Sequence, residues 1–393
     1  MAQSDVTESS ALSRNAGIDL LRGLSILLVL LNHIGIRLRL TQGVLAALLP
    51  KEFLNDLNFN GSEAVYIFFV ISGFLITTNA LMRWGRVGAI EPRGFYVRRA
   101  ARILPLLITL VAVLSVLHLA GVDGYVIGRP GQSLHGAIGS AFGLCLNWYE
   151  ARTGYLPANW DVLWSLSIEE IFYLAFPLIC VFLRRSWLVA TAMALLALWL
   201  PVSLAMIGNN PMWREKAYLP GMAGIAIGVL GALAANRFRP RSRRLLLPFY
   251  VVGAVGLVGV LGFERELWRW FGNGTILLLT FSAMCMVLAF YWSAALGRSP
   301  RMPGMGWMCS YGRLSYEIYL THMFVVLAML WIFRSSGAGM RWGVLWYAPT
   351  VAACWILGWI VAKYFSAPCD KSIRQRFLSP AKAVQSSAVP TNA

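Results

Sequence analysis

Ten apolar runs divide this chain, and they constrain its fold more than any other feature. Each has the roughly 17–23 residues that an α-helix needs to cross the hydrocarbon core of a bilayer. The runs cover residues 18–36, 62–82, 103–121, 162–183, 187–207, 218–235, 245–262, 275–293, 313–333 and 343–365. The sequence therefore predicts an all-α polytopic membrane protein, a bundle of about ten transmembrane helices.

Composition and charge placement agree with this prediction. Of the 393 residues, 58% are hydrophobic and 13% are charged, whereas soluble domains have about a half and a quarter. The formal charge of +17 would suit nucleic-acid binding, but the basic residues lie in short loops between the apolar runs. With the N-terminus inside, 23 of the 34 Lys and Arg residues fall on the inner side, which predicts that both termini are cytoplasmic. We expect contact with the lipid bilayer and none with nucleic acid.

The chain divides into one membrane domain and two polar ends. Residues 1–15 lack an apolar stretch before a cleavage site, which predicts a disordered cytoplasmic tail and not a signal peptide. Residues 16–366 are predicted to form the transmembrane domain, and 367–393 a cytoplasmic tail that is disordered after about 380. The glycine-rich stretch 133–149 is expected to be interfacial or re-entrant. The six cysteines show no CxxC or Cys/His spacing, so we expect neither a disulfide framework nor a metal site.

The first apolar run contains two ionisable residues, Arg22 and His33. They lie eleven residues apart, about three helical turns, so a helix would place both on one face. Ionisable groups inside a bilayer are costly and usually face an interior or a water-filled cavity, which favours a functional site. The alternative is that His33 only packs against another helix and that Arg22 only anchors the helix at the lipid surface.

A cluster of arginines precedes the third run. Arg98, Arg99 and Arg102 lie three or four residues apart, so a helix would gather them on one face. Guanidinium groups pair bidentately with phosphate, which predicts a clamp for a nucleotide-containing donor. Ordinary cytoplasmic positive charge is the alternative explanation.

The fourth run contains two adjacent carboxylates, Glu169 and Glu170. They project about 100° apart on a helix, so they cannot face the same partner. Either could form a salt bridge with an arginine, or set the protonation of a histidine.

The ninth run places Ser315, Tyr319 and His322 at helical spacing on one face, which gives a second intramembrane histidine beside hydroxyl groups. The second run contains Ser72 and Gly73. With no acid or base flanking Ser72, we interpret this pair as a close helix contact and not as a catalytic serine.

Together these motifs resemble the membrane-bound acyltransferase 3 family, whose members O-acylate cell-surface and exported glycans and some small molecules. The matching stretches occur in the family's order. They are Arg22 with ten residues before His33, the stretch Phe68–Ile76, Arg98-Arg99-x-x-Arg102-Ile-x-Pro105, Trp164-Ser-Leu-Ser-Ile-Glu169-Glu170-x-Phe-Tyr173, and Tyr316-x-Ile-Tyr319-Leu-x-His322.

The resemblance implies an enzyme of the bacterial cytoplasmic (inner) membrane. It would transfer an acyl group, usually acetyl, from cytoplasmic acyl-CoA to an acceptor hydroxyl, with no permanently bound cofactor. Some family members carry an extra soluble domain after the membrane core. This chain ends too soon for one, so we expect any such step to need a partner protein.

The individual residues and the family resemblance predict the same mechanism. Arg98, Arg99 and Arg102, with help from Arg22, would hold the CoA phosphates. His33 would act as nucleophile or as general base.

The remaining site residues would support His33. Glu169 or Glu170 would orient and charge-balance the imidazole, and Tyr319 or His322 would stabilise the oxyanion. The sequence leaves open the acceptor, the acyl chain length and the oligomeric state. It also leaves open a second class of function, a glycan or lipid transporter or flippase that uses the buried histidine and glutamate residues as a proton relay.

Overall fold

The computed structural model describes residues 15–208, 210–297 and 303–378, and within them it contains helices and no strand. The helices of the first half are α1 (Ala16–Gly35), α2 (Lys51–Phe59), α3 (Gly61–Trp84), α4 (Pro92–Leu119), α5 (Leu134–Phe142), α6 (Leu146–Thr153), α7 (Trp164–Leu183), α8 (Ser186–Leu198) and α9 (Leu200–Met206). Those of the second half are α10 (Pro211–Lys216), α11 (Tyr218–Arg237), α12 (Leu247–Gly262), α13 (Glu264–Phe271), α14 (Gly274–Ala295), α15 (Gly306–Arg313), α16 (Ser315–Ser335), α17 (Tyr347–Val361) and α18 (Ala367–Leu378).

The long apolar helices confirm the predicted fold class. In the described parts of the chain, nine helical segments are long and apolar enough to cross a membrane, and a bent pair of helices would make ten. The bent pair is α8 and α9, which meet at an angle of 42°. Pro201 lies in the first turn of α9 and has no backbone N–H, so it cannot continue the hydrogen-bond pattern of α8. The chain is therefore an integral membrane protein whose fifth apolar run is a broken helix.

Helices α3 and α11 approach each other closely through two glycines. A Cβ atom at Gly73 would lie 2.0 Å from the backbone oxygen of Ile225, and one at Gly228 would lie 2.0 Å from that of Val70. Small residues allow this approach in membrane bundles, where packing and not hydrophobic burial holds helices together. The interpretation of Gly73 as a close helix contact is confirmed.

The loop between α4 and α7 is fixed by a buried ion triad. Nζ of Lys216, at the end of α10, lies 2.7 Å from Oε2 of Glu150 in α6 and 2.5 Å from Oδ1 of Asp161. Lys216 and Glu150 are fully enclosed, with side-chain exposures of 1% and 0%. A buried charge without its partner is costly, so the triad joins the loop to the start of α7. The predicted interfacial stretch 133–149 forms α5 and the start of α6 in this loop.

The last membrane helix continues beyond the predicted boundary at residue 366. A π-helical turn, Ala362–Ser366, joins α17 to α18, so the chain is helical from Tyr347 to Leu378. That length is about 48 Å at 1.5 Å per residue, against a hydrocarbon core of about 30 Å. Consequently α18 extends past the membrane, where it packs against α4. Of the two predicted disordered tails, residues 1–14 and 379–393 lie outside the described residues, and Asn15 caps α1 by accepting a hydrogen bond from the N–H of Gly17.

We expect Gly228→Ala to lower the thermal stability of the protein, because the new Cβ atom would force α3 and α11 apart. Overpacking of this kind typically costs about 1–3 kcal/mol. The matched control is Gly139→Ala in α5, where an added Cβ atom meets nothing within 4 Å. Differential scanning fluorimetry in detergent should show a lower midpoint for the first variant only, and equal midpoints for both would contradict the close contact.

We expect Lys216→Met to destabilise the protein by about 3–5 kcal/mol, because it leaves the buried Glu150 carboxylate without a cationic partner. The double variant Lys216→Met/Glu150→Gln removes that charge and should recover part of the loss. Denaturant titration of the protein in mixed micelles measures both. A double variant no more stable than Lys216→Met would show that the ion triad is not the source of the stability.

Candidate functional site

Helices α1 and α16 bring the predicted intramembrane residues together. Nη2 of Arg22 donates a hydrogen bond of 2.8 Å to Oγ of Ser315. Farther along both helices, the rings of His33 and His322 have their centroids 4.9 Å apart. Arg22 and His33 therefore share the face of α1 that contacts α16, as their spacing predicts.

His33 and His322, here called the histidine pair, have different surroundings. His322 is buried, and its Nδ1 lies 2.7 Å from the backbone oxygen of Tyr319. A carbonyl oxygen only accepts, so Nδ1 carries the proton and Nε2 carries the lone pair. Nε2 is buried and has no hydrogen-bond partner among the described residues. The His33 ring is half-buried, so it is the more accessible of the two.

The two predicted carboxylates do not contact His33. In the described part of the chain, Glu169 accepts a hydrogen bond of 3.3 Å from the Tyr173 hydroxyl, and Glu170 lies 3.8 Å from Nη2 of Arg99. The charged groups that act on His33 are cationic, Arg37 and Lys216. The prediction that Glu169 or Glu170 orients His33 is therefore wrong for this structure.

The reason lies in the depth of the residues along α7. Ser165 is the residue of α7 that lies level with Tyr319, because their hydroxyl groups are 2.8 Å apart. Glu169 follows one turn later, about 6 Å farther along the axis and away from the histidine pair.

Tyr319 lies between the histidine pair and a cavity. Its ring centroid is 6.0 Å from that of His322, and its hydroxyl donates a hydrogen bond of 3.1 Å to the backbone oxygen of Val162. The Ser165 hydroxyl lies 2.8 Å from the Tyr319 hydroxyl, so two hydrogen bonds hold the phenol. Tyr319 and Ser165 also line the cavity.

The cavity has a volume of about 790 Å³ and runs through the bundle from one end of α3 and α4 to Tyr319. Arg83, Arg98 and Arg374, from α3, α4 and α18, line the end that lies farthest from Tyr319. We call this end the mouth. The volume falls within the range of about 300–1,000 Å³ that small-molecule and cofactor sites occupy.

Arginine dominates the charge of the cavity wall. Its described charged lining residues are Arg22, Arg83, Arg98, Arg99, Arg102, Arg374 and a single carboxylate, Glu169. Carboxylates behind the wall neutralise two of them. Arg102 forms a bidentate pair with Glu317, at 2.9 and 3.3 Å, and Glu317 is only 1% exposed. Arg99 pairs with Glu170 and lies over the Tyr173 ring, 3.8 Å from its centroid.

Arg98 differs from its two neighbours in the motif. It forms no ion pair among the described residues, whereas Arg99 and Arg102 each pair with a carboxylate. Its Nε atom, like that of Arg99, is buried without a hydrogen-bond partner. The three arginines predicted to act as one clamp therefore divide, because Arg99 and Arg102 are paired while Arg98 remains available to an anion.

Glu317 and Arg374 contribute to the cavity and were not singled out from the sequence, and Ser72 and Tyr173 were not predicted as site residues. Ser72 and Tyr173 line or border the cavity and share a short hydrogen bond. Glu317 was visible as the acid inside the ninth apolar run, and its position next to Tyr316 was the signal that could have identified it. Arg374 gave no such signal, because it reaches the cavity only through the continuation of the last helix beyond the membrane.

We expect Arg102 and Glu317 to be energetically coupled. Singly neutralised variants, Arg102→Gln and Glu317→Gln, each leave a charge at the pair, whereas the double variant leaves none. Groups in direct contact typically show interaction energies of about 0.5–3 kcal/mol in a double-mutant cycle. Unfolding free energies of the four proteins measure it, and additive effects would contradict a pair that stabilises the bundle.

Comparison with known proteins adds independent information. A family profile described as an acyltransferase domain matches residues 15–363. The chain is also similar to the O-acetyltransferase OatA of Staphylococcus aureus strains NCTC 8325 and COL, with 24% identity over 315 residues. That alignment covers 75% of this chain and 50% of OatA, so the chain spans about half the length of these relatives. No solved structure matches the chain.

Proposed function

Because this chain belongs to the acyltransferase 3 family and forms an integral membrane bundle, we propose that it transfers an acetyl group from acetyl-CoA to a hydroxyl of a cell-surface or exported glycan. The observation that carries the proposal is the arginine-lined cavity, which leads to Tyr319 beside the histidine pair. The name of the similar OatA proteins, O-acetyltransferase, supports acetyl as the group that is moved.

In this proposal the donor occupies the cavity with its phosphates toward the mouth. Arg98 is the motif residue without an ion pair and provides a free guanidinium for phosphate. Arg99 and Arg102 contribute positive potential that their carboxylates partly offset, and Arg22 lies deeper, bonded to Ser315. Acetyl-CoA is a co-substrate here and not a permanently bound cofactor.

His33 carries the chemistry in one of two roles. As a general base it takes the proton of the acceptor hydroxyl while that oxygen attacks the thioester carbonyl, and the CoA thiolate leaves and is protonated. As a nucleophile it attacks the thioester itself and forms an acyl-imidazole, which the acceptor hydroxyl then cleaves. In both roles the neutral imidazole is the reactive form.

Two residues of α16 assist His33. The lone pair on Nε2 of His322 faces no partner in the described residues, so it can accept an N–H hydrogen bond from His33 and fix its tautomer. Tyr319 provides a hydroxyl near the end of the cavity that can stabilise the oxyanion. Glu169 and Glu170 act indirectly, since they hold Tyr173 and Arg99 in the cavity wall.

The proposal includes an orientation. The excess of basic residues on the inner side favours cytoplasmic termini, which places the mouth in the cytoplasm where acetyl-CoA is made. The acceptor then approaches from the opposite side, near Arg37 and Asp161. The membrane in question is the bacterial cytoplasmic membrane, and longer acyl chains and other hydroxyl acceptors are compatible with the same core.

We expect His33→Ala to lower acetyl transfer at least about a hundredfold, because it removes the general base or nucleophile. The measurement uses purified full-length protein in nanodiscs, acetyl-labelled acetyl-CoA and an added envelope glycan fraction. His135→Ala is the matched control, since His135 is an exposed histidine of α5 outside the cavity. Substantial transfer by His33→Ala would contradict the assignment.

The same label separates the two roles of His33. Omitting the acceptor should leave label on the wild-type protein, sensitive to hydroxylamine, if His33 is the nucleophile, and none if it is the base. A folded wild-type protein that neither binds nor turns over any acyl-CoA would contradict the proposed function and favour transport.

A further inference from the structure

The helix α18 reaches the mouth of the cavity from outside the predicted membrane domain. It continues the last membrane helix through the π-helical turn and packs against α4. Arg374 of α18 lines the cavity together with Arg83 and Arg98. Its Nε atom donates a hydrogen bond of 2.8 Å to Oδ1 of Asp370, one helical turn earlier.

The mouth gathers three guanidinium groups from three separate helices. The charged groups that act on Arg98 are Arg83 and Arg374, both cationic, together with Asp370 and Glu91. Arg83 and Arg374 repel Arg98 because they have the same charge, and an anion with several charges relieves that repulsion. Of the three mouth arginines only Arg374 forms an ion pair among the described residues, whereas Arg99 and Arg102 in the deeper wall both pair with carboxylates.

Asp370 holds the side chain of Arg374 in place but uses only one of its hydrogen-bond donors. Its ion pair with Asp370 uses Nε, and neither Nη atom forms a hydrogen bond within the described residues. The i, i+4 spacing holds both side chains on one face of α18. Arg374 thus presents two Nη groups in the planar arrangement that matches a phosphate oxygen pair.

We propose that Arg374 binds a phosphate group of the CoA donor, which makes α18 part of the donor site. This inference rests on the proposed function. The thioester must approach the histidine pair, which lies beyond Tyr319, so the pyrophosphate and the 3′-phosphate, at the other end of the donor, lie at the mouth. Asp370 is then a positioning residue that orients Arg374 toward the cavity.

The test compares donors that differ in phosphate content. Acetyl-CoA has the pyrophosphate and the 3′-phosphate, acetyl-dephospho-CoA lacks the 3′-phosphate, and S-acetylpantetheine lacks all of them. Full-length protein in nanodiscs is assayed for thiol release with each donor. The variants are Arg374→Ala, Arg98→Ala and, as matched control, Arg376→Ala, which removes the same charge from an exposed position of α18 outside the cavity.

We expect Arg374→Ala to lower kcat/KM for acetyl-CoA about tenfold through KM, the loss of one partly solvated charge-assisted hydrogen bond. kcat/KM for S-acetylpantetheine should not change, and Arg376→Ala should match the wild type with every donor. An effect that persists with acetyl-dephospho-CoA assigns Arg374 to the pyrophosphate, and one that disappears assigns it to the 3′-phosphate. Either result supports the inference.

Two results would overturn the inference, and each differs from a failure of the proposed function. An equal loss with acetyl-CoA and S-acetylpantetheine would mean that Arg374 only supports the packing of α18. No loss for Arg374→Ala alongside a clear loss for Arg98→Ala would place the phosphates away from α18 while leaving the donor site in place. If no variant and no donor gave turnover, the proposed function itself would fail.

Discussion

Polar side chains of α16 connect the helices that build the site, and the rest of the arrangement depends on those contacts. Ser315 and His322 contact α1, Glu317 pairs with α4, and Tyr319 is bonded to α7. In a bilayer, unsatisfied polar groups are costly and apolar surfaces give helices no mutual preference. These contacts therefore fix the register of four helices, and they leave a cavity between them that an entirely apolar bundle would have filled.

The same contacts set the electrostatics of the cavity. Arg99 and Arg102 are neutralised from behind by Glu170 and Glu317, which lowers the net charge of the cavity wall between the mouth and Tyr319. The mouth keeps unneutralised guanidinium groups, including Arg98. A ligand with a charged end and a neutral end fits this gradient in only one direction. The orientation of the proposed donor follows from which arginines have buried carboxylate partners.

The sequence predicted the helices well and the pairings poorly, for physical reasons. Hydrophobic length predicts spans directly, and helical spacing placed Ser315, Tyr319 and His322 on one face. The partner of a carboxylate depends on the depths at which two helices place their side chains, and no local sequence pattern reports those depths. The sequence analysis therefore placed Glu169 one turn too close to His33. Arg374 was missed because the apolar run ends at the membrane surface, whereas the helix that carries Arg374 continues beyond it.

The most direct test of this account is a cryo-electron microscopy map of the full-length protein in nanodiscs, with a non-hydrolysable thioether analogue of acetyl-CoA bound. The account predicts phosphate density among Arg83, Arg98 and Arg374, with the thioether near Tyr319 and the histidine pair. Density for the bound analogue outside the cavity, or with the phosphates beside His33, would contradict it.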